Sequence, residues 1–281
     1  MLRIAVPNKG SLSDATVEML REAGYRTRRD TKELVVTDVE NDVEFFYLRP
    51  RDIAVYVGSG TVDAGVTGRD LLLDSGSAAV EVMSLGFGGS TFRYAARPGQ
   101  VATVDDIEGK RVATSYPGLV RADLDARGLT GEVVRLDGAV ETAITLGVAD
   151  VIADVVETGA TLRSQGLAVF GEPILRSEAV LIRGDRPGEE QAVSVLQRRI
   201  AGVITARTYV MLDYDCPKEI VDKATELTPG LESPTVSPMQ DEAWVAVRAM
   251  VPRVGRNRLM DELYDLGARA ILVTDIAACR L

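Results

Sequence analysis

Apolar and polar positions alternate along Leu2–Val6, which predicts a strand. Pro7-Asn8-Lys9-Gly10 then reads as a turn. Ser11 reads as a helix cap with Asp14 at the capping-box position, and Leu12, Ala15, Met19 and Ala23 form a stripe at helical spacing. Leu34–Thr37 and Val43–Leu48 pair as a hairpin around Asn41-Asp42, and a helix follows Arg49-Pro50-Arg51 to about Gly58. Ala64–Thr67 is a strand, and Arg69-Asp70-Leu71 opens a helix. After Gly86-Phe87-Gly88-Gly89-Ser90 the pattern restarts. Strands at Thr91–Ala96, Arg111–Thr114, Val133–Leu136 and Val151–Val155 alternate with helices at Val104–Glu108, Leu119–Ala126 and Val140–Leu146. Glu178–Ile182 leads back as a strand into a helix from about Glu189 to Val203. Such alternation predicts an α/β fold with mostly parallel sheets.

The remaining residues, 208–281, follow another rhythm. Strands at Tyr209–Tyr214, Thr235–Pro238, Trp244–Val251 and Ala270–Asp275 enclose helices at Lys218–Leu227 and Arg256–Leu266. The order βαββαβ predicts a ferredoxin-like unit, a type that often binds a regulatory ligand or another subunit. In that topology Cys216 and Cys279 fall at opposite ends of antiparallel neighbours, too far apart for a disulfide, so both thiols are expected free.

The segment Val151 to Leu162 carries the most chemistry. An apolar strand ends at Asp154, Glu157 follows, and Thr158-Gly159-Ala160-Thr161 starts a helix. A helix start with hydroxyl donors and a glycine suits a phosphate, and the acids suit sugar hydroxyls or a Mg²⁺ held through water. These residues alone leave an ordinary strand-to-helix turn equally open. The order Gly60-Thr61-Val62-Asp63 before a strand and acidic turn is echoed by Gly147-Val148-Ala149-Asp150. The echo suggests two similar lobes with a ligand cleft between their strand C-terminal ends.

Composition narrows the chemistry. Of 281 residues, 46% are hydrophobic, the net charge is −10, and histidine is absent. The charge argues against nucleic-acid binding. No apolar run reaches membrane-spanning length, and the start of the sequence lacks a secretory apolar region, so a cytoplasmic location is expected. Without histidine, a Ser-His or Cys-His nucleophile is excluded. What remains is carboxylates, Lys/Arg, backbone donors and a ligand-borne metal. That set suits substitution at a carbon bearing a good leaving group.

Taken together, Pro7-Asn8-Lys9-Gly10, Gly58-Ser59-Gly60, Gly65 to Asp70, Gly86-Phe87-Gly88, Asp154 to Leu162 and Thr228 to Thr235 resemble the long form of ATP phosphoribosyltransferase over the whole chain. The resemblance implies two periplasmic-binding-protein-like (type II) lobes, with 1–90 plus 184–207 as the first and 91–183 as the second. A histidine-binding regulatory domain would occupy 208–281. It implies transfer of a phosphoribosyl group from phosphoribosyl pyrophosphate to N1 of ATP with Mg²⁺ on the phosphates and no metal fixed by the protein alone. It also implies inhibition by histidine, a possible AMP ligand, and a dimer or hexamer. Ala153 stands where commoner phosphoribosyltransferases carry a second acid, which separates this chain from that larger class.

The residues fit those roles. Thr158, Gly159, Ala160 and Thr161 would cradle the 5-phosphate, with Asp154, Glu157 and Glu141 around the ribose. Lys9, Arg49 and Arg51 are the candidate catalytic cations. Lys9, Gly10, Arg49, Asp70, Leu71, Gly88, Gly89 and Ser90 would hold ATP or AMP, Asp70 accepting from the adenine 6-amino group. The histidine site maps to Asp215, Leu231, Ser233, Thr235 and Ala270. Plainer readings stand beside these: surface ion pairs for Arg49 and Arg51, a helix cap for Asp70, a dipole-satisfying acid for Glu141, a hinge for Gly88-Gly89. A solute-binding protein of the same two-lobe plan is the main rival from outside the enzymes.

Overall fold

In chain order the elements are β1 (Leu2–Pro7), α1 (Ser11–Glu22), β2 (Val35–Asp38), β3 (Val43–Leu48), α2 (Pro50–Gly58), β4 (Ala64–Gly68), α3 (Arg69–Ser75) and β5 (Val80–Ser84). Next come β6 (Ser90–Ala96), β7 (Arg111–Thr114), α4 (Pro117–Arg127), β8 (Glu132–Arg135), α5 (Thr142–Thr145), β9 (Val151–Val156), α6 (Ala160–Ser164), β10 (Ala168–Ser177) and β11 (Ala179–Arg183). The chain ends with α7 (Glu190–Thr208), β12 (Tyr209–Pro217), α8 (Val221–Leu227), β13 (Thr235–Pro238), β14 (Trp244–Pro252), α9 (Arg256–Leu266) and β15 (Arg269–Asp275). This computed structural model describes residues 1–28, 32–157, 159–184 and 190–280.

A six-stranded sheet has the order β2-β3-β1-β4-β11-β5, and a five-stranded sheet has the order β10-β6-β9-β7-β8. The sheets are mixed, which corrects the expectation of mostly parallel pairing. Only β3-β1-β4 and β8-β7-β9 run parallel. Antiparallel strands flank both. The second sheet is buried on both faces. Phe92, Tyr94, Val112 and Val151 pack on one side, and Ala95, Ala113, Ala143 and Ile152 on the other. That two-sided burial accounts for the uninterrupted apolar run Val151-Ile152-Ala153.

Two strands escaped the pattern. β5 is short and mostly exposed. β10 is an edge strand whose register slips between Phe170 and Leu175, where Gly171 and Pro173 read as a turn. One boundary also moves. β11, placed by sequence in the 91–183 lobe, pairs with β4 and β5 in the first sheet, because the chain returns at Ser177-Glu178.

The Gly-x-x-Asp echo has a structural cause. Asp63 Oδ2 accepts the amide of Arg3 at 2.7 Å, and Asp150 Oδ2 accepts the amide of Arg111 at 3.0 Å. Each aspartate's own amide in turn donates to the carbonyl of that arginine, at 2.9 and 3.0 Å. In each sheet the aspartate precedes a strand, β4 or β9, that pairs in parallel with the arginine's strand, β1 or β7, and pins the two at their N-terminal ends in the same register.

The chain divides into two compact units, Met1–Arg21 with Tyr25–Ser194, and Glu22–Gly24 with Val195–Leu281. The division falls inside α7, whereas the sequence placed 184–207 with the first lobe. Within the second unit α7 meets the C-terminal segment closely, since a side chain at Gly202 would collide with the Cys279 carbonyl. The Arg253 guanidinium also donates to the carbonyls of Ala206 and Arg207. The second unit's sheet has the order β13-β14-β12-β15, every neighbour antiparallel. Its core joins Val210, Leu212, Tyr214, Val247, Ala224 and Leu263. Both cysteines are free thiols, Cys216 buried and Cys279 half-buried. Among the described residues no helix is long and apolar enough to cross a membrane.

Candidate functional site

The first site lies where β9 ends. Asp154, Val155, Val156, Glu157, Gly159, Ala160, Thr161 and Leu162, with Glu141 beside the start of α5, line a pocket of about 270 Å³. Gly159 has φ +70°, the left-handed backbone that turns the strand into α6 and that glycine adopts without penalty. Thr158 lies outside the described residues. Because α6 spans only Ala160–Ser164, the cradle is one helical turn rather than a full helix end.

Asp154 is partly buried and accepts the Val155 amide at 2.8 Å. Burial raises its carboxyl above the ordinary aspartate range, the Val155 amide works against that, and the charges of Glu141 and Asp70 push further upward.

A second pocket of about 190 Å³ sits where the first-lobe turns converge. Its lining includes Lys9, Gly10, Asp70, Leu71, Gly88, Ser90, Tyr116 and Ser177. Its lining is drawn from stretches far apart in sequence that folding brings together. Lys9 and Gly10 end the β1 turn, Asp70 and Leu71 open α3, and Gly88 and Ser90 lead into β6. Gly89 is not part of the lining. Val155 and Glu157 line both pockets, so the two share a wall.

The candidate cations separate. Lys9 is exposed at the pocket. Arg49 is exposed at the N-terminal boundary of α2, outside both linings. Arg51 is committed elsewhere: its Nη1 lies 2.7 Å from Asp74 Oδ2, and its guanidinium sits 4.7 Å over the Tyr116 ring. It therefore reaches the site joined to Asp74 and Tyr116, the ion-pair reading that the sequence left open beside its role as a cation.

Three site residues were missed in the sequence. Tyr116 precedes Pro117 at the start of α4, and burial raises its hydroxyl pKa, with the Asp70 carboxylate adding to the shift. An aromatic at the C-terminal end of a strand, before a proline-initiated helix, was the available signal. Asp74 accepts the amides of Gly118 and Leu119. Ser177 contacts Asp70 from a position 107 residues away, which no local pattern announces.

In the second unit, Asp215, Thr235 and Ala270 line a groove of about 620 Å³ on one face of the sheet, together with Asp213, Arg248 and Leu272. Leu231 and Ser233 lie in the preceding loop, exposed and outside that lining. Ala270 has φ +50°, and the β12–β15 register shifts between Asp213 and Asp215. Backbone groups at that edge are thereby turned out of the regular ladder.

A family model described as ATP phosphoribosyltransferase matches residues 49–202, and one described as HisG, C-terminal domain, matches residues 206–278. The chain is 63% identical over 284 residues to the ATP phosphoribosyltransferase of Pseudarthrobacter chlorophenolicus, with all of both chains covered. It is 63% identical over 285 residues to that of Streptomyces coelicolor, again with full coverage of both. Among solved structures it resembles the ATP phosphoribosyl transferase (HisG:HisZ) complex from Thermotoga maritima, at 26% identity and a TM-score of 0.63. That likeness covers 73% of this chain and 98% of that chain. The chain is a member of the ATP phosphoribosyltransferase family.

Proposed function

We propose that the chain joins N1 of the adenine of ATP to C1 of the ribose of phosphoribosyl pyrophosphate, releasing pyrophosphate, as the first step of histidine biosynthesis. The observation that carries this is the shared wall of the two pockets at Val155 and Glu157. A sugar phosphate in the Asp154–Thr161 pocket and a purine in the Lys9–Asp70 pocket would meet there. Alignment of two substrates is the main rate-enhancing device this set of residues has.

Asp154 would accept from the ribose hydroxyls, with Glu141 and Glu157 beside it, and the Gly159–Thr161 backbone would hold the 5-phosphate. Asp70 would accept from the 6-amino group, with Leu71 and Tyr116 against the ring. N1 carries no proton at neutral pH, so its lone pair attacks without a base. The N1–C1 bond forms as the C1–oxygen bond breaks, and the electron pair leaves with pyrophosphate. Lys9, with Arg49 at the margin, would stabilise that charge. Asp154 and Glu157 line the pocket and would hold a Mg²⁺ through water, with the substrate phosphates supplying its other ligands. The ion would neutralise the pyrophosphate.

The two sheets of the first unit are read as periplasmic-binding-protein-like lobes, and the second unit's strand order as ferredoxin-like. The groove at Asp215, Thr235 and Ala270 is assigned to histidine as feedback inhibitor. Asp215 would pair with its amino group, and the backbone near Ala270 would hold its carboxylate. A homo-oligomer and cytoplasmic action complete the reading.

The test mixes the chain with ATP, phosphoribosyl pyrophosphate and Mg²⁺ and follows the absorbance of the N1-substituted adenine, with and without histidine. Product formation that histidine suppresses supports the whole reading, and no product overturns it.

A further inference from the structure

We propose that Ser177 is a positioning residue that fixes Asp70 to recognise a purine with an amino group at its six-position. Asp70 sits in the first turn of α3, after the first sheet's β4, and Ser177 ends β10 in the second sheet. The two residues grip each other twice. The Asp70 amide donates to Ser177 Oγ at 3.0 Å, and the Ser177 hydroxyl donates to Asp70 Oδ1 at 2.8 Å. Both are buried, at 7% and 5% exposure. A third constraint acts from below, because a side chain at Gly68 would collide with Asp70 Oδ1. The carboxylate is folded over that bare α-carbon and locked there.

This arrangement decides what Asp70 can read. One oxygen accepts from Ser177, the Tyr116 hydroxyl also donates to the carboxylate, and the group is left to act as an acceptor at the second pocket. An acceptor held in place favours a partner that donates, such as the 6-amino group of adenine. It disfavours a 6-oxo group, which would leave two acceptors face to face. Ser177 also comes from the second sheet while Asp70 belongs to the first. Base recognition therefore depends on a contact between the lobes and not on the purine pocket's own turns. The proposal rests on the reading of Asp70 as facing the base.

The test compares Ser177→Ala, Ser177→Thr and Asp70→Asn, with kcat and KM measured for ATP at saturating phosphoribosyl pyrophosphate and with Kd measured by calorimetry for ATP and for inosine triphosphate, whose N1 carries a hydrogen and which is used as a binding probe only. Ser177→Ala should raise KM for ATP about tenfold, the scale of a lost hydrogen bond to a charged group. It should leave KM for phosphoribosyl pyrophosphate unchanged and shrink the ratio of affinities for ATP over inosine triphosphate by a similar factor. Ser177→Thr, which keeps the hydroxyl, should restore most of the ratio. The ratio is read only from folded molecules, so a lowered melting temperature does not mask it. If Asp70→Asn collapses the ratio and Ser177→Ala leaves it intact, the positioning role of Ser177 is overturned while the reading of Asp70 stands. If neither variant moves it, the reading of Asp70 falls as well.

Discussion

Asp74 reaches from the end of α3 to the amide of Gly118, the second residue of α4, at 2.8 Å. The same oxygen accepts from Leu119 at 3.2 Å, and its partner oxygen holds Arg51 at 2.7 Å. One carboxylate thus supplies the missing cap of a helix in the neighbouring lobe and anchors an arginine at the cleft. With its side chain only 7% exposed, Asp74→Ala should destabilise the chain by about 2–3 kcal/mol, from a lost cap and an unpaired arginine. Urea unfolding measures it; a change under about 0.5 kcal/mol, the scale of an ordinary surface substitution, would count against the contact.

Gly118 makes that approach possible, since any side chain there would meet the Asp74 carbonyl and carboxylate. Gly118→Ala should cost about 1–3 kcal/mol, as overpacking does. It should also weaken turnover with both substrates, because the lobes must part to admit the methyl group. A variant as stable and as active as the parent would show that the lobes meet differently.

Arg49→Ala and Arg51→Ala should part company. Arg49 is exposed and makes no side-chain hydrogen bond among the described residues, so its loss should lower kcat/KM about tenfold and change stability by less than about 0.5 kcal/mol. Arg51 is tied to Asp74 and Tyr116, so its loss should reduce stability and activity together. Thermal melts run beside steady-state assays distinguish the two, and equal melting temperatures would remove the structural role given to Arg51.

Asp154 ties stability to pH. Its folded carboxyl titrates above the ordinary aspartate range, chiefly through burial. Ionising it therefore costs stability above that folded pKa, and the cost disappears as pH falls through it. Asp154→Asn should raise the melting temperature at neutral pH and abolish phosphoribosyl pyrophosphate binding, as read by calorimetry. A variant that melts lower at neutral pH would contradict the burial argument.

Glu81 behaves in the opposite sense. Its hydrogen bond to Arg69 holds its carboxyl below the usual glutamate range, against burial. That stabilisation is complete above the unfolded pKa and is lost as pH falls through the lower folded value. Glu81→Gln should therefore lower the melting temperature at neutral pH, and the gap from the parent should close on acidification. A gap that stays constant with pH would assign the effect to packing.

The readable part of the site is the part written in consecutive residues. Asp154, Glu157, Gly159 and Thr161 follow one another from strand to turn to helix, and the hydrophobic period announces that order. Lys9-Gly10 and Asp70-Leu71 were legible for the same reason. Ser177 and Asp74 were not, because each acts on a group many residues distant, 107 for Ser177 and 44 for Asp74. Arg51 was visible as a charge, but its commitment to Asp74 depends on α3 passing beside α2. In the fold, β10 hid behind Gly171 and Pro173. The β2–β3 hairpin was legible from its turn, but the other antiparallel flanks could not be read because strand direction leaves no trace in the alternation of side chains.

Asp63 and Asp150 hold their strands at the ends remote from both pockets. Each lobe is built like a leaf spring clamped at its root, with the ligand loops carried at the tips. Loop residues at the pocket ends can therefore be exchanged, and specificity retuned, while the clamp continues to dictate which residue faces which.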